Sequence, residues 1–279
     1  MSACFTTSWD DGHPLDQRLA ERLARHGCGA TFYVPLRNRE GRPVMTGLEL
    51  RALNAGFEIG SHTLDHAYAD RMPPSAWAQQ VIEGKRALED QLGQAVPGFC
   101  YPGGRVTPQA VASVRAAGFA YARTIVNLHT APGDDLFRAP TTLQLFPHSR
   151  AVLLRNWLRG GALGARAGAA AVAMRHGDWR ERVLSLMRLA RAHDASFHLW
   201  GHSWEIEQQG LWTDLETVLR EAAGLYPPSA RCSNAQWLGL APASPAVHLA
   251  TQAASSSVAG APIVDACPLP DPPSRRPPC

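Results

Sequence analysis

No stretch of the chain approaches the roughly 18 consecutive apolar residues that cross a bilayer, so no membrane span is expected. Met1 to Asp10 lacks a basic start followed by an apolar run, which argues against a secretory signal at that end. The six cysteines (Cys4, Cys28, Cys100, Cys232, Cys267 and Cys279) form no CxxC pair. In a chain of 279 residues without a leader, such scattered thiols are expected to be reduced, and the cytoplasm is the expected compartment. Blocks of like charge are absent too. A net charge of +3 is too weak to argue for nucleic acid, and the one arginine stripe, Arg18, Arg22 and Arg25, reads as a solvated helix face. Nothing in the sequence bears on oligomeric state.

With 45% hydrophobic residues, the chain has enough apolar material for a sizeable core. One pattern recurs: an amphipathic helix, a glycine or polar stop, then a short apolar strand. Leu15, Leu19 and Leu23 recur at helical spacing, Gly27 and Gly29 break the run, and residues 30–34 read as a strand. Residues 48–55 read as a helix, Gly56 stops it, and Phe57-Glu58-Ile59 follows. Thr107 suits an N-cap, Pro108 the first helical turn and Gly118 the C-terminal stop before strand 119–121. Trp179, Val183, Leu186 and Ala190 form a helical stripe that precedes strand 196–200. Residues 5–8 supply a first strand. Alternation of this kind implies parallel pairing and six to eight units, arranged as a barrel or as an open doubly wound sheet. In both, functional side chains gather at the C-terminal ends of the strands. Residues 160–173, rich in Ala and Gly, fit a helix or a surface insertion equally well. From 241 onward the character changes: 241–279 holds nine of the 22 prolines and no aromatic residue, the composition of a disordered tail.

Three clusters fall where strands should end. Asp10 and Asp11 in Ser8-Trp9-Asp10-Asp11-Gly12-His13 follow the first strand. Adjacent carboxylates repel, so the pair is either a plain surface turn or two groups set against a cation, with Gly12 permitting the turn. His62 and His66 follow residues 57–59 and lie four apart. On a helix, with Ser61 as its N-cap, that spacing places both imidazoles on one face, where one metal ion can bridge them. Two histidines and one carboxylate leave coordination positions for water, the layout of a catalytic zinc site. The third cluster is Phe197-His198-Leu199-Trp200-Gly201-His202-Ser203-Trp204-Glu205. It reads either as a packed aromatic strand or as a histidine acid above a ligand pocket.

These residues resemble the motifs of the polysaccharide deacetylases, the carbohydrate esterase family 4 with the chitooligosaccharide-deacetylase homology domain. Ser8-Trp9-Asp10-Asp11-Gly12 stands where that family has Thr-Phe-Asp-Asp-Gly, and His62-Thr63-Leu64-Asp65-His66 matches its His-Ser/Thr-x-x-His. The resemblance covers about residues 4–240. It implies a distorted barrel of about seven parallel strands as the catalytic domain, residues 1–240, followed by the tail at 241–279. It further implies Asp10 as catalytic base, Asp11, His62 and His66 as ligands of one divalent metal (Zn²⁺, or Co²⁺ in its place), and His202 as general acid, with His198 as second choice. The third motif departs from the common Arg-Pro-Pro-Tyr: Cys100-Tyr101-Pro102-Gly103 has cysteine at the arginine position. Gly103 and Tyr101 are then the expected oxyanion and substrate contacts, with Trp204, and also Trp9 and Trp200, available to stack on a sugar. Arg105 and Arg123 are the candidates to brace Asp10, and Asp134, Asp135 and Arg138 lie where a fourth motif would fall. The implied activity is removal of an acetyl group from an N-acetylated sugar, and the expected lack of export, taken alone, points to a cytoplasmic glycan precursor as its carrier. Hydrolysis of another non-peptide C–N bond, such as a cyclic imide or ureide, and an inactive metal- or carbohydrate-binding domain are the alternatives.

Overall fold

Phe5–Asp10 forms the central strand, β1, and all six of its residues are buried. A parallel strand covered on both faces needs no alternation of polarity, yet β1 alternates. Phe5 and Trp9 enter the main apolar core, whereas Thr6 and Ser8 turn the other way, Thr6 accepting from Asn234 Nδ2 at 2.9 Å and Ser8 Oγ meeting His198 Nε2 at 2.8 Å. The computed structural model describes residues 3–241. Met1, Ser2 and 242–279 lie outside the described residues, and nearly all of the expected tail lies there.

Numbered along the chain, the other strands are β2 (Thr31–Val34), β3 (Glu58–Ser61), β4 (Gly98–Cys100), β5 (Tyr121–Arg123), β6 (Leu143–Gln144), β7 (Phe197–Gly201) and β8 (Arg231–Cys232). The helices are α1 (Asp16–Arg25), α2 (Gly47–Asn54), α3 (Pro74–Leu92), α4 (Pro108–Ala116), α5 (Arg150–Arg159), α6 (Leu163–Arg175), α7 (Trp179–Ala192), α8 (Ser203–Gln208), α9 (Trp212–Leu225) and α10 (Asn234–Trp237). Every strand pair is parallel, in the order β5-β4-β3-β2-β1-β7-β6. β8 adds to β1 at Phe5 and Thr6, beneath the stretch Ser8–Asp10 that pairs with β2. Ala139 closes the ring. It forms a parallel bridge with Arg123, donates to Ala122 O at 2.9 Å and accepts from Thr124 N at 2.8 Å, and the chain then runs into β6 beside β7. The result is the distorted barrel of seven parallel strands, with the short β8 in addition.

Helix ends and stripes lie close to where spacing placed them. Leu19 and Leu23 of α1 are fully buried, and Thr107 Oγ1 accepts from Ala110 N at 3.0 Å ahead of Pro108. Residues 160–173 form the turn after α5 and most of α6 rather than a loose insertion. The arginine stripe is no bare solvated face: the guanidinium groups of Arg18 and Arg22 stand 4.3 and 5.1 Å from the ring of Trp212 on α9, and Arg22 and Arg25 both pair with Glu216. Cation–aromatic contact and shared carboxylate thus dock α1 on α9.

Candidate metal and catalytic site

The side chains with chemistry meet at the C-terminal ends of β1, β3 and β7, around a cavity of about 250 Å³. At the end of β1 the chain turns, with Asp11 at φ 79° and Gly12 at φ 59°. The turn lets two consecutive carboxylates reach one space, although strand neighbours point apart. A side chain at Gly12 would collide with Val34, so glycine is required there for space as well as for conformation.

His62 and His66 come together by a different route from the expected one. Ser61 is the last residue of β3, not a helix cap, and the segment after it is a loop with Thr63 at φ 67° and His66 at φ 56°. Tertiary contacts hold this conformation. Leu64 N–H donates to Gln80 O of α3 at 3.0 Å, Thr63 Oγ1 accepts from Ala67 N at 2.9 Å, and α3 approaches so closely at Gly84 that a Cβ there would lie 2.7 Å from Leu64 N. The two imidazole rings end 5.0 Å apart.

Asp11, His62 and His66 present one ligand atom each within 4.8 Å of one another. Asp11 Oδ1 lies 3.2 Å from His66 Nε2 and 3.8 Å from His62 Nε2, is buried, and among the described residues has no hydrogen-bond partner. Its other oxygen accepts from Trp204 Nε1 at 2.9 Å. His62 Nδ1 donates to Cys100 O at 2.8 Å, which leaves the Nε2 lone pair free toward Asp11. His66 Nδ1 faces Glu40 Oε1 at 3.8 Å, and Glu40 in turn accepts from Tyr68 and Arg42. Burial would raise the Asp11 pKa, but the close approach of His66 and the field of His202, His62 and His66 outweigh it, and the carboxyl is held well below the usual range. Burial, helped by the charge of His66, pushes His62 down to about 4, so it is neutral near pH 7 with its lone pair available. An orphaned buried carboxylate oxygen facing two imidazole nitrogens is a donor set that fits a borderline divalent cation such as Zn²⁺.

Asp10, buried beside them, accepts from the Nη2 of Arg123 and lies 3.6 Å from Cys100 Sγ. Arg123, at the end of β5, is itself buried and stands 5.1 Å from the rings of both Tyr33 and Trp200. Arg105 does not take part: it is half exposed and faces Asp70 at 3.5 Å. His202 follows β7 and lines the cavity; its Nδ1 bonds Glu205 Oε2 at 2.7 Å, and that same oxygen accepts from Gln144 Nε2 at 2.9 Å. Burial would lower the His202 pKa, but the Glu205 hydrogen bond and the charges of Asp11, Glu205 and Asp10 push it up to about 9. His198 lies deep in the barrel, 1% exposed, its Nδ1 donating to Pro140 O at 3.2 Å and its Nε2 facing Ser8. It does not reach the cavity.

Several expected contacts fall elsewhere. Tyr101 is buried against Phe99 with its hydroxyl donating to Phe137 O at 3.0 Å, so its side chain faces away from the cavity. Trp9 is a core residue whose indole donates to Thr7 Oγ1. Asp135 and Arg138 sit on an outer 3₁₀ turn, Leu136–Arg138, where Asp135 pairs with Arg115 at 2.6 Å and caps Phe137 N. Gly103 and Trp204 do line the cavity, as does Trp200; the Trp204 ring is covered by the Arg42 guanidinium at 3.9 Å. Glu40, Arg42, Tyr68, Ile125 and Glu205 complete the lining and were given no role from sequence. Of these only Glu205 carries a local signal, its place three residues after His202 at a helix start.

Comparison with known proteins bears on the fold and on the first half of the chain. Residues 3–122 match the family model described as polysaccharide deacetylase. A peptidoglycan-N-acetylglucosamine deacetylase of Bacillus cereus is 24% identical over 129 residues, 46% of this chain and 58% of the relative, so the chain spans little more than half of that protein's length. The structure of the chitin deacetylase from the fungus Colletotrichum lindemuthianum superposes with a TM-score of 0.55 at 16% identity, over 87% of this chain and 92% of the other, and shows the shared fold. A family 4 carbohydrate esterase from Streptomyces lividans gives 0.46 at 13% identity over 80% and 86%. The stretch 3–122 contains β1, the Asp10-Asp11 turn, the His62–His66 loop and β4, and it is over this stretch that the chain is similar to the polysaccharide deacetylase family.

Proposed function

We propose that this chain is a metal-dependent hydrolase that removes the acetyl group from an N-acetylated sugar. The observation that carries the reading is the buried Asp11 Oδ1, without a hydrogen-bond partner among the described residues, facing His62 and His66 beside the Arg123-braced Asp10. Asp11, His62 and His66 would hold the ion, which supplies Lewis acidity and an acidified water when bound. Asp10 then accepts the proton of the attacking water, with Arg123 fixing its orientation and opposing its charge. Gly103, on the 3₁₀ turn Pro102–Gly104 at the cavity wall, would offer its N–H to the oxyanion. His202 lines the cavity with its Nδ1 tied to Glu205, which leaves Nε2 as the nitrogen to protonate the departing amine. Trp200 and Trp204 give the cavity aromatic walls suited to a sugar ring. Cys100 in the third motif is no argument for a cyclic imide or ureide as substrate, since Arg123 supplies a guanidinium to Asp10 from the neighbouring strand.

Dialysis against EDTA is expected to abolish acetate release from N-acetylglucosamine oligomers, and Zn²⁺ or Co²⁺ to restore it. Full turnover by metal-free protein would overturn the reading, and turnover of cyclic imides in place of acetylated sugars would overturn the substrate class. The acid form of His202 is present below its pKa of about 9, so kcat/KM should hold through neutral pH and fall as pH rises past that value. Because the Glu205 carboxylate raises that pKa, Glu205→Gln should move the alkaline limb to lower pH by about one unit. An unmoved limb would remove His202 as the acid.

A further inference from the structure

We propose that the hairpin of α5 and α6 is a docking surface for an anionic lipid bilayer. Residues 136–177 contain six arginines and no Asp or Glu. Along α5, Ala151, Leu154 and Leu158 are exposed at spacings of three and four, hence on one face, and Leu163 opens α6 beside them; the three leucines are 42%, 57% and 42% exposed in chain order. The outward positions of α6 from Leu163 to Ala171 are leucine, glycine and alanine alone. A helix facing water ordinarily turns charge outward, and this one does not. Charge instead rims the apolar face: Arg150, Arg155, Arg159 and Arg175 are exposed, and among the described residues none of them is paired with a carboxylate.

The face is rigidly presented. Buried Arg166 donates to Asn156 O, Trp157 O and Gly161 O at 3.1, 2.9 and 2.8 Å, and to Asn127 O at 2.8 Å, so one guanidinium closes the end of α5 and ties the hairpin to the barrel. The hairpin leaves the barrel at the C-terminal end of β6, the end at which the cavity opens, and Gln144 of β6 bonds Glu205. A second copy is a poor occupant, since a two-fold contact would set unpaired arginines against their own images. An anionic bilayer satisfies both halves of the surface, with leucines at the acyl boundary and guanidiniums among the headgroups.

The test is sedimentation of the full chain with large unilamellar vesicles of phosphatidylglycerol and phosphatidylcholine in equal parts, against vesicles of phosphatidylcholine alone. Binding is expected to the anionic vesicles, to weaken with salt, and to fall about tenfold or more in Leu154→Ser/Leu158→Ser/Leu163→Ser and in Arg155→Glu/Arg159→Glu. Circular dichroism and turnover of a soluble acetylated oligosaccharide should be unchanged in both variants, so failure here leaves the assigned chemistry standing. The proposal is overturned by equal binding to both vesicle types, by undiminished binding of the variants, or by no vesicle binding. It is also overturned by a concentration-dependent dimer in gel filtration that the leucine variant abolishes.

Discussion

Replacing Asp10 with asparagine is expected to lower kcat by about 10²–10⁴-fold, the usual worth of a positioned general base, or about 3–5 kcal/mol of barrier. Asparagine is the informative choice. It keeps an acceptor oxygen of nearly the same shape beside Arg123 Nη2, so the fold should survive. Alanine would leave the Arg123 guanidinium, only 1% exposed, with neither charge nor acceptor oxygen at that position, mixing a larger folding defect with the chemical one. Single-turnover acetate release beside a thermal melt separates the two. A variant that melts like the parent and turns over at full rate would remove Asp10 from the role of base.

The complementary change, Arg123→Met, should cost both stability and rate. It leaves Asp10 buried with only the weak thiol contact of Cys100. Removing one member of a buried ion pair costs about 3–5 kcal/mol, which for a domain of this size lowers Tm by roughly 6–20 °C. Asp10→Asn combined with Arg123→Met should cost less than the sum of the single changes, because neither then strands a buried charge. Additive losses in that cycle would show that the pair is not coupled.

Much of the site was legible because its chemistry is written in short contiguous stretches at strand ends. Asp10-Asp11-Gly12 and His62 with His66 needed only the rule that parallel strands present function at their C-terminal ends. The conformation between the histidines was not legible. A spacing of four fits one face of a helix and equally fits a loop with two left-handed residues, and the choice is made by Gln80 and Gly84 on α3. Tyr101 was misplaced although parity held the answer: Cys100 turns its sulfur toward Asp10, so the next residue along an extended chain points the other way. Arg105 and Arg123 were indistinguishable as letters; only the pairing of β4 with β5 sets Cys100 beside Arg123 and carries that guanidinium inward. Glu40, Arg42 and Tyr68 reach the cavity from loops with no periodic pattern, so only the assembled fold reveals them. The barrel itself followed from alternating periodicities, while its polar interior, with Tyr33, Asn234, Thr6, His198 and Ser8 bonded to one another, depends on pairings across nearly the whole chain.

The bridge between Arg123 and Ala139 gives the barrel a seam, and the residue that stitches it is the one that braces Asp10. Backbone bonding across the seam is irregular, with Ala139, Thr141 and Thr142, all outside any regular strand, bonded to residues between Ala122 and His129, and it breathes more readily than the continuous ladder of β1 with β7. Each opening of that seam would draw the guanidinium away from the carboxylate, so the fraction of molecules with a correctly aimed base is set by the local opening equilibrium at the Thr124 and Ala139 amides. Amide exchange at those two positions therefore reports on catalytic readiness, and a substrate that spans the cavity from Trp204 to Gly103 would act as a clasp, slowing exchange there as it binds.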